Sequence, residues 1–284
     1  MGIARADMLA NQPGARIDMT QLTASRLPSR VLTLEGGSNF RDIGGYQSED
    51  GRFVRWRCLF RSGAFGQLTQ HDLEVLHDLQ VRTIVDLRCR EERELAPSLW
   101  GAPTVCSIDY PQEVVFEKAL GSEAWQLYEV FLELLSGHLR FIFDALRVGE
   151  TPLVVHCSGG QDRTGVTIAI LLATLGVSMD QIRDDYMYST AARRRANEVD
   201  LRRVRELTAH NPVAAFYAKQ IDERGVQSLD PKPLFDSLGR PKIMLAFDVL
   251  EKRWGSLDRY LQSQCHLDQQ DIQELRNRYL EIGT

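Results

Sequence analysis

The 284-residue sequence has no apolar run near the roughly 18 residues that a membrane-spanning helix requires. Its longest apolar stretch, around Val166 to Leu175, is broken by Thr167 and Thr174. It also lacks an excess of charge. The 34 Lys and Arg stand against 39 Asp and Glu, a net charge of −5, which excludes the strongly basic surface of a dedicated nucleic-acid binder. Cysteine is sparse and odd in number, at positions 58, 89, 106, 157 and 265, with no CxxC pair. That excludes a disulfide scaffold or a zinc knuckle. The six histidines show no HxH or HExxH spacing, so no metal or other cofactor is expected. The first twenty residues have no apolar core and do not read as a signal peptide. Ala6 breaks the myristoylation pattern that Gly2 would begin. The expected location is cytoplasmic, with signal-independent export left open.

What is present is ordinary globular chemistry, 43% hydrophobic and 26% charged residues, enough to bury a core. Lysine supplies only 5 of the 34 cations, so most are arginines, whose planar forks suit phosphate and carboxylate. Residues 1–30 read as a loose N-terminal arm. Beyond it, strand candidates at 55–60, 81–87, 104–108 and 152–156 alternate with helical patterns. Thr69 with Asp72 forms a weak capping box before Leu73, Leu76 and Leu79. A longer helical pattern covers 122–148, with Gly137 as its divider. Ser178 with Gln181 is expected to cap the next helix. Strands alternating with helices predict an α/β fold: a central, mostly parallel sheet flanked by helices. Residues 191–240 read differently, as a helical insertion or lid. The arginines at 193, 194, 195, 202, 203 and 205 are more simply a solvated face than a positive inner surface.

The most informative stretch runs from Val154 to Gly165, VVHCSGGQDRTG. Cys157 follows a short apolar strand, and Arg163 stands six residues on, where a helix begins. Amides of Ser158, Gly159, Gly160, Gln161, Asp162 and Arg163 can surround an anion at a helix N-terminus. Glycines let the backbone approach closely. Arg163 can grip two phosphate oxygens, and the same field favours the thiolate that attacks phosphorus. His156 should point away from the nucleophile and hold the loop. Thr164 is placed to donate to the Cys157 sulfur. Asp162 is the nearest acid for the leaving oxygen.

This loop resembles that of the cysteine-dependent phosphatases. With NFRDIGGY, RSGAFGQLT, TIVDLRCREE and the late WGSLDRYL in the same order, the chain is similar to the atypical bacterial tyrosine-phosphatase-like family, also called the triple-specificity or lipid-phosphatase-like group. The resemblance spans about residues 30–280 and implies one phosphatase domain over 31–284, including the insertion. It assigns Cys157 as nucleophile, Asp162 as general acid and Arg163 with the loop amides as the phosphate site, with no WPD loop present. It implies a phosphorylated protein substrate, phosphotyrosine first, with phosphoserine, phosphothreonine and phosphoinositides as runners-up. The family pattern carries Lys where this chain has Gln161, and Ala where it has Gly159. Losing that cation argues against polyanionic lipid headgroups. A non-catalytic phosphoprotein-binding module and a rhodanese-like sulfurtransferase are the competing readings.

Asp86 and Arg88 close a strand and are expected at the site border, with a structural role for Asp86 favoured. Asn39, Arg41 and Asp42 could brace the site or its turn, but a purely structural turn, with Gly44 and Gly45 needed for positive φ, is the favoured reading. Cys58 or Cys89 could pair with an oxidised Cys157, though ordinary thiols are the simpler expectation. Glu91, Glu92 and Glu94 are read as a solvated helical face.

Overall fold

A computed structural model of the chain describes residues 30–115, 124–232 and 234–283. Residues 1–29 of the expected arm and residues 122–123 of the long helical pattern lie outside the described residues. The chain begins with β1 (Arg41–Asp42), β2 (Phe53–Val54) and β3 (Leu59–Ser62). Then follow α1 (Gln70–His77), β4 (Thr83–Asp86), α2 (Arg90–Leu95), β5 (Thr104–Ser107), α3 (Ala124–Leu134), α4 (Ser136–Val148), β6 (Leu153–His156) and α5 (Asp162–Thr174). Strand order is β1-β3-β6-β4-β5. β3, β6, β4 and β5 run parallel, and β1 pairs antiparallel at one edge. The expected mostly parallel sheet is therefore present.

Register sets the position of the site. Ser62 and Asp86 both pair with His156, so β3, β6 and β4 end level with one another. Gly63, Cys157 and Leu87 emerge together at the carboxyl edge, where open α/β sheets hold ligands. Within each strand alternate residues serve opposite faces. Leu153 and Val155 of β6, Val85 of β4 and Leu59 of β3 join the large core under α3, α4 and α5. Val154, Ile84 and Phe60 join a second core with Leu34, Phe40, Phe65 and Leu76 on the α1 side.

Two strand and helix expectations shift. The 55–60 run does not pair as a whole; the paired strand is Leu59–Ser62. Arg57 adopts φ +59°, and its amide donates to the Asp42 carboxylate at 2.7 Å, which turns the chain out of the extended path. The long helical pattern breaks at Leu135, and Gly137 sits inside the first turn of α4.

α6 (Met179–Ala192) follows α5, with α7 (Arg195–Glu198), α8 (Leu201–Leu207) and α9 (Pro212–Arg224) in segment 191–240. Ser178 stands at the α6 N-cap without capping it; its hydroxyl instead accepts from Gln181 Nε2 at 3.2 Å. This segment grips α2. Arg203 donates to the carbonyls of Leu95 and Glu94, at 2.9 and 2.8 Å, and Asn211 Nδ2 to that of Glu91 at 2.9 Å. The chain then closes through α10 (Ile243–Trp254), α11 (Leu257–Tyr260), α12 (Gln269–Tyr279) and β7 (Leu280–Glu281), which pairs with β2. No described helix is long and apolar enough to cross a membrane.

The Thr69–Asp72 capping box is complete, and Asp72 does more than cap. Its carboxylate, 1% exposed, also accepts the amides of Glu35 and Gly36, both at 2.7 Å. It thereby fixes the segment that delivers Ser38 and Asn39 to the carboxyl edge. Asp72→Ala strands these buried donors and should cost about 2 kcal/mol, read as a lower urea midpoint at unchanged m-value.

Candidate active site

The loop from Cys157 to Gln161 joins β6 to α5, and the carbonyls of Ser158, Gly159 and Gly160 are directed outward. The Ser158 carbonyl accepts the Ala64 amide at 2.9 Å. Asn39 Nδ2 donates to the carbonyls of Gly159 and Gly160, at 3.1 and 2.8 Å. Arg61 Nη2 donates to that of Gly160 at 2.7 Å. In a planar trans peptide the next residue's N–H points opposite to the carbonyl. The amides of Gly159, Gly160 and Gln161 therefore face the concave side of the loop, toward Cys157 and the α5 N-terminus. Gly160 is required here. Its φ is +64°, and a Cβ would lie 2.4 Å from the Ser62 carbonyl oxygen.

Beneath the loop lies a buried charge network. Asp185 of α6 accepts from Arg41 Nε at 2.9 Å and pairs with Arg61 Nη1. Arg41 also donates to the Asn39 side-chain oxygen, orienting the amide that holds the loop. Ser189 Oγ accepts from both arginines at 3.1 Å. Burial alone would raise the Asp185 carboxyl, but Arg41 and Arg61 outweigh it and hold it at about 2. Asn39 and Arg41 thus support the loop from its carbonyl side. Asn39 manages this in a left-handed conformation, φ +59°, which asparagine tolerates better than most residues.

Arg163, in the first turn of α5, is clamped by Glu92. Nη1 and Nη2 meet the two carboxylate oxygens at 2.5 and 2.6 Å, and Nη1 also donates to Tyr110 Oη at 2.6 Å. The Nε–H and second Nη2–H share the edge left over, the geometry that grips two phosphate oxygens. Glu92 is 4% exposed and also accepts from Ser158 Oγ at 2.6 Å. It is not on a solvated face as its sequence context suggested, because α2 turns its N3 side chain back to the Cys89 amide. Burial opposes its charge, but Arg163 prevails and holds it at about 2.

Asp162 Oδ1 lies 3.3 Å from both Tyr128 Oη and Tyr186 Oη, which are 2.5 Å apart. Burial pushes both phenols well above their usual ionisation, so both stay hydrogen-bond donors. Thr164 Oγ1 is buried and has no hydrogen-bond partner; the expected bond to the Cys157 sulfur is not made. His156 is fully buried against Phe65, ring centroids 4.5 Å apart. Its Nδ1 is 3.4 Å from the Cys157 carbonyl. Burial lowers it to about 4 against the pull of Asp86, so it is neutral near pH 7 and supports the loop.

Asp86 and Arg88 come together, but as a closed pair. Arg88 Nε and Nη2 reach the carboxylate at 2.8 and 2.7 Å, and the guanidinium also holds the Ala96 carbonyl and Ser98. They tie α2 to the strand edge rather than line the loop. Cys58 is level with Pro152, since Leu59 pairs with Leu153. Five residues of strand, roughly 16 Å, separate it from Cys157, which excludes a direct disulfide. Cys89 is buried, and burial raises its thiol, which makes it a poor attacking group. Of the arginines from 193 onward, Arg193 reaches the loop, donating to Gln161 Oε1 at 2.8 Å. Sequence reasoning missed Arg61, Glu92, Tyr128 and Asp185. For Arg61 one signal existed, a cation inside an apolar strand.

Groups held below their ordinary range give stability an acid limb, two buried histidines and two buried carboxylates among them. His138 and His156 are held at about 4 against an ordinary 6.5. The unfolded chain therefore takes up their protons first, and stability falls as pH drops from about 6.5 to 4. The carboxylates of Glu92 and Asp185 contribute fully above the unfolded range near 4, and that contribution disappears as pH falls toward 2. Melting temperature against pH should show both phases. Asp185→Asn should flatten the lower one and cost about 3 kcal/mol at neutral pH, with two buried cations left underpaired.

The sequence matches known proteins. A family model described as the tyrosine phosphatase family matches residues 32–281. A protein named as a tyrosine-protein phosphatase in Cupriavidus necator is 28% identical over 261 residues, 88% of each chain. A tyrosine-protein phosphatase of Nostoc commune is 28% identical over 245 residues, 78% of this chain and 74% of the relative. The triple specificity protein phosphatase PtpB of Mycobacterium tuberculosis is 25% identical over 194 residues, 56% of this chain and 69% of the relative. Among solved structures, P. aeruginosa TpbA in complex with phosphotyrosine matches at 16% identity and TM-score 0.34, covering 65% of this chain and 90% of that one.

Proposed function

The chain belongs to the tyrosine phosphatase family, and from that premise we propose that it hydrolyses phosphomonoesters through a phosphocysteine, with phosphotyrosine in proteins as the favoured substrate. The carrying observation is the loop itself: inward amides, a fixed arginine fork and a cysteine at the start of the same turn. Cys157 Sγ attacks phosphorus. The S–P bond forms, the P–O bond to the leaving group breaks, and its electron pair stays on oxygen. Asp162 protonates that oxygen. The amides of residues 158–163 and the Arg163 fork hold the remaining phosphoryl oxygens. Water then attacks phosphorus, Asp162 takes its proton, and sulfur leaves as thiolate. Thr164, whose buried hydroxyl is uncommitted, is the donor assigned to that departing sulfur. His156 holds the loop and moves no proton.

An aryl oxygen leaves with less help than an alkyl one, so phosphotyrosine ranks above phosphoserine and phosphothreonine. The relatives' names fit that order and allow dual specificity. Cys157→Ser should abolish aryl phosphate turnover while leaving the melting temperature intact. Asp162→Asn should lower kcat by about a hundredfold on phosphotyrosine peptide, and by more on phosphoserine peptide. Full turnover by Cys157→Ser removes the phosphocysteine. An equal loss on both peptides removes Asp162 as the acid.

A further inference from the structure

Residue 161, the last of the loop, is neutral, yet a cation stands directly against it. Arg193 follows the last turn of α6, and its side chain is mostly buried, 17% exposed. Nη1 donates to Gln161 Oε1 at 2.8 Å. Nε and Nη2 bind Glu198, the closest contact 2.6 Å. Glu198 Oε1 also accepts from Ser38 Oγ at 2.6 Å. Arg193 thus bridges Glu198 and Gln161, with its Nη1 on the loop residue. Gln161 takes one of the two Nη1 hydrogens, and the second remains for an acceptor beside the loop.

Gly159 completes the fit. A Cβ there would lie 2.7 Å from Arg193 Cζ and 2.8 Å from its Nε, so the guanidinium packs onto the bare Cα of a loop residue. A lysine at 161 would set two cations against each other, whereas the amide oxygen of Gln161 accepts from one. Gly159, Gln161, Arg193 and Glu198 thus form one assembly. Burial opposes the Arg193 charge, but the hydrogen-bonded Glu198 carboxylate outweighs it and keeps the guanidinium cationic.

We propose that Arg193 is the second cation of the phosphate site, delivered from the end of α6 to a loop whose own position 161 is uncharged, and that it binds the phosphoryl dianion alongside Arg163. This rests on the phosphatase reading of the same loop, but its test does not depend on turnover. Inorganic phosphate binding is measured by calorimetry, together with KM and kcat on an aryl phosphate. Arg193→Gln should weaken phosphate binding about tenfold and raise KM similarly, with kcat nearly unchanged. Adding Gln161→Lys to Arg193→Gln should restore most of the binding, because the charge returns to the same rim from the other side. A merely structural arginine would not be rescued this way. Wild-type phosphate affinity in Arg193→Gln, or a folded double variant without rescue, overturns the proposal. Should Arg193→Gln fail to fold, Arg193→Gln with Glu198→Gln removes both buried charges together. The same weakening is expected of it, and unchanged affinity is again fatal. A wild type that binds phosphate without hydrolysing any ester refutes the phosphatase reading and leaves this test intact.

Discussion

Three successive carbonyls, of Ser158, Gly159 and Gly160, must be held outward before their neighbouring amides can face an anion. Left alone, a short glycine-rich turn has no reason to keep them there. The holding is done by the Ala64 amide, by Asn39 and by Arg61. Asn39 is oriented by Arg41, and both arginines are balanced by Asp185. Loop shape thus rests on one buried ionic network shared by β1, β3 and α6. Removing a single partner from such a network leaves an uncompensated charge, so the site and the stability of the molecule are linked.

The electrostatics follow the same logic on the other side. A bare Arg163 would be free to swing. Glu92 and Tyr110 take one edge of its guanidinium and fix the other. The cost is a buried carboxylate, offset by three donors: Arg163, Ser158 Oγ and the Cys89 amide. Segment 191–240 matters here because α8 and α9 pack on α2, the helix that presents Glu92.

Much of this was legible from the chain. The alternation of strands and helices gave the mostly parallel sheet, and an apolar strand before Cys157 with a helix after Asp162 placed the loop at a strand end. Asn39 and Arg41 read first as parts of a turn, because the NFRDIGG block explains its own polar residues locally; their bonds to the loop and to Asp185 come from across the fold. Glu92 was misread. Three glutamates in REERE look like a solvated face, and Cys89 in place of Ser or Thr at the N-cap hides the capping box through which Glu92 turns back. Arg193 was similarly hidden in a run of arginines, of which the others bind elsewhere, Arg194 to the Leu34 carbonyl and Arg195 to Asp230.

The sequence by itself determined whatever is local: the spacing from Cys157 to Arg163, the glycines that allow φ +64° at Gly160, the helix that starts at Asp162 and the short strand beneath. These depend on residues a few positions apart, where backbone sterics and periodicity act. Only the tertiary structure decided which charges answer one another. Glu92 meets Arg163 across 71 residues and Arg41 meets Asp185 across 144, distances over which no pattern in the chain constrains a partner. Arg193 and Gln161, 32 residues apart, share a rim because α5 and α6 pack side by side. Coulombic pairing is set by position in space, and that position exists only once the sheet and helices have assembled.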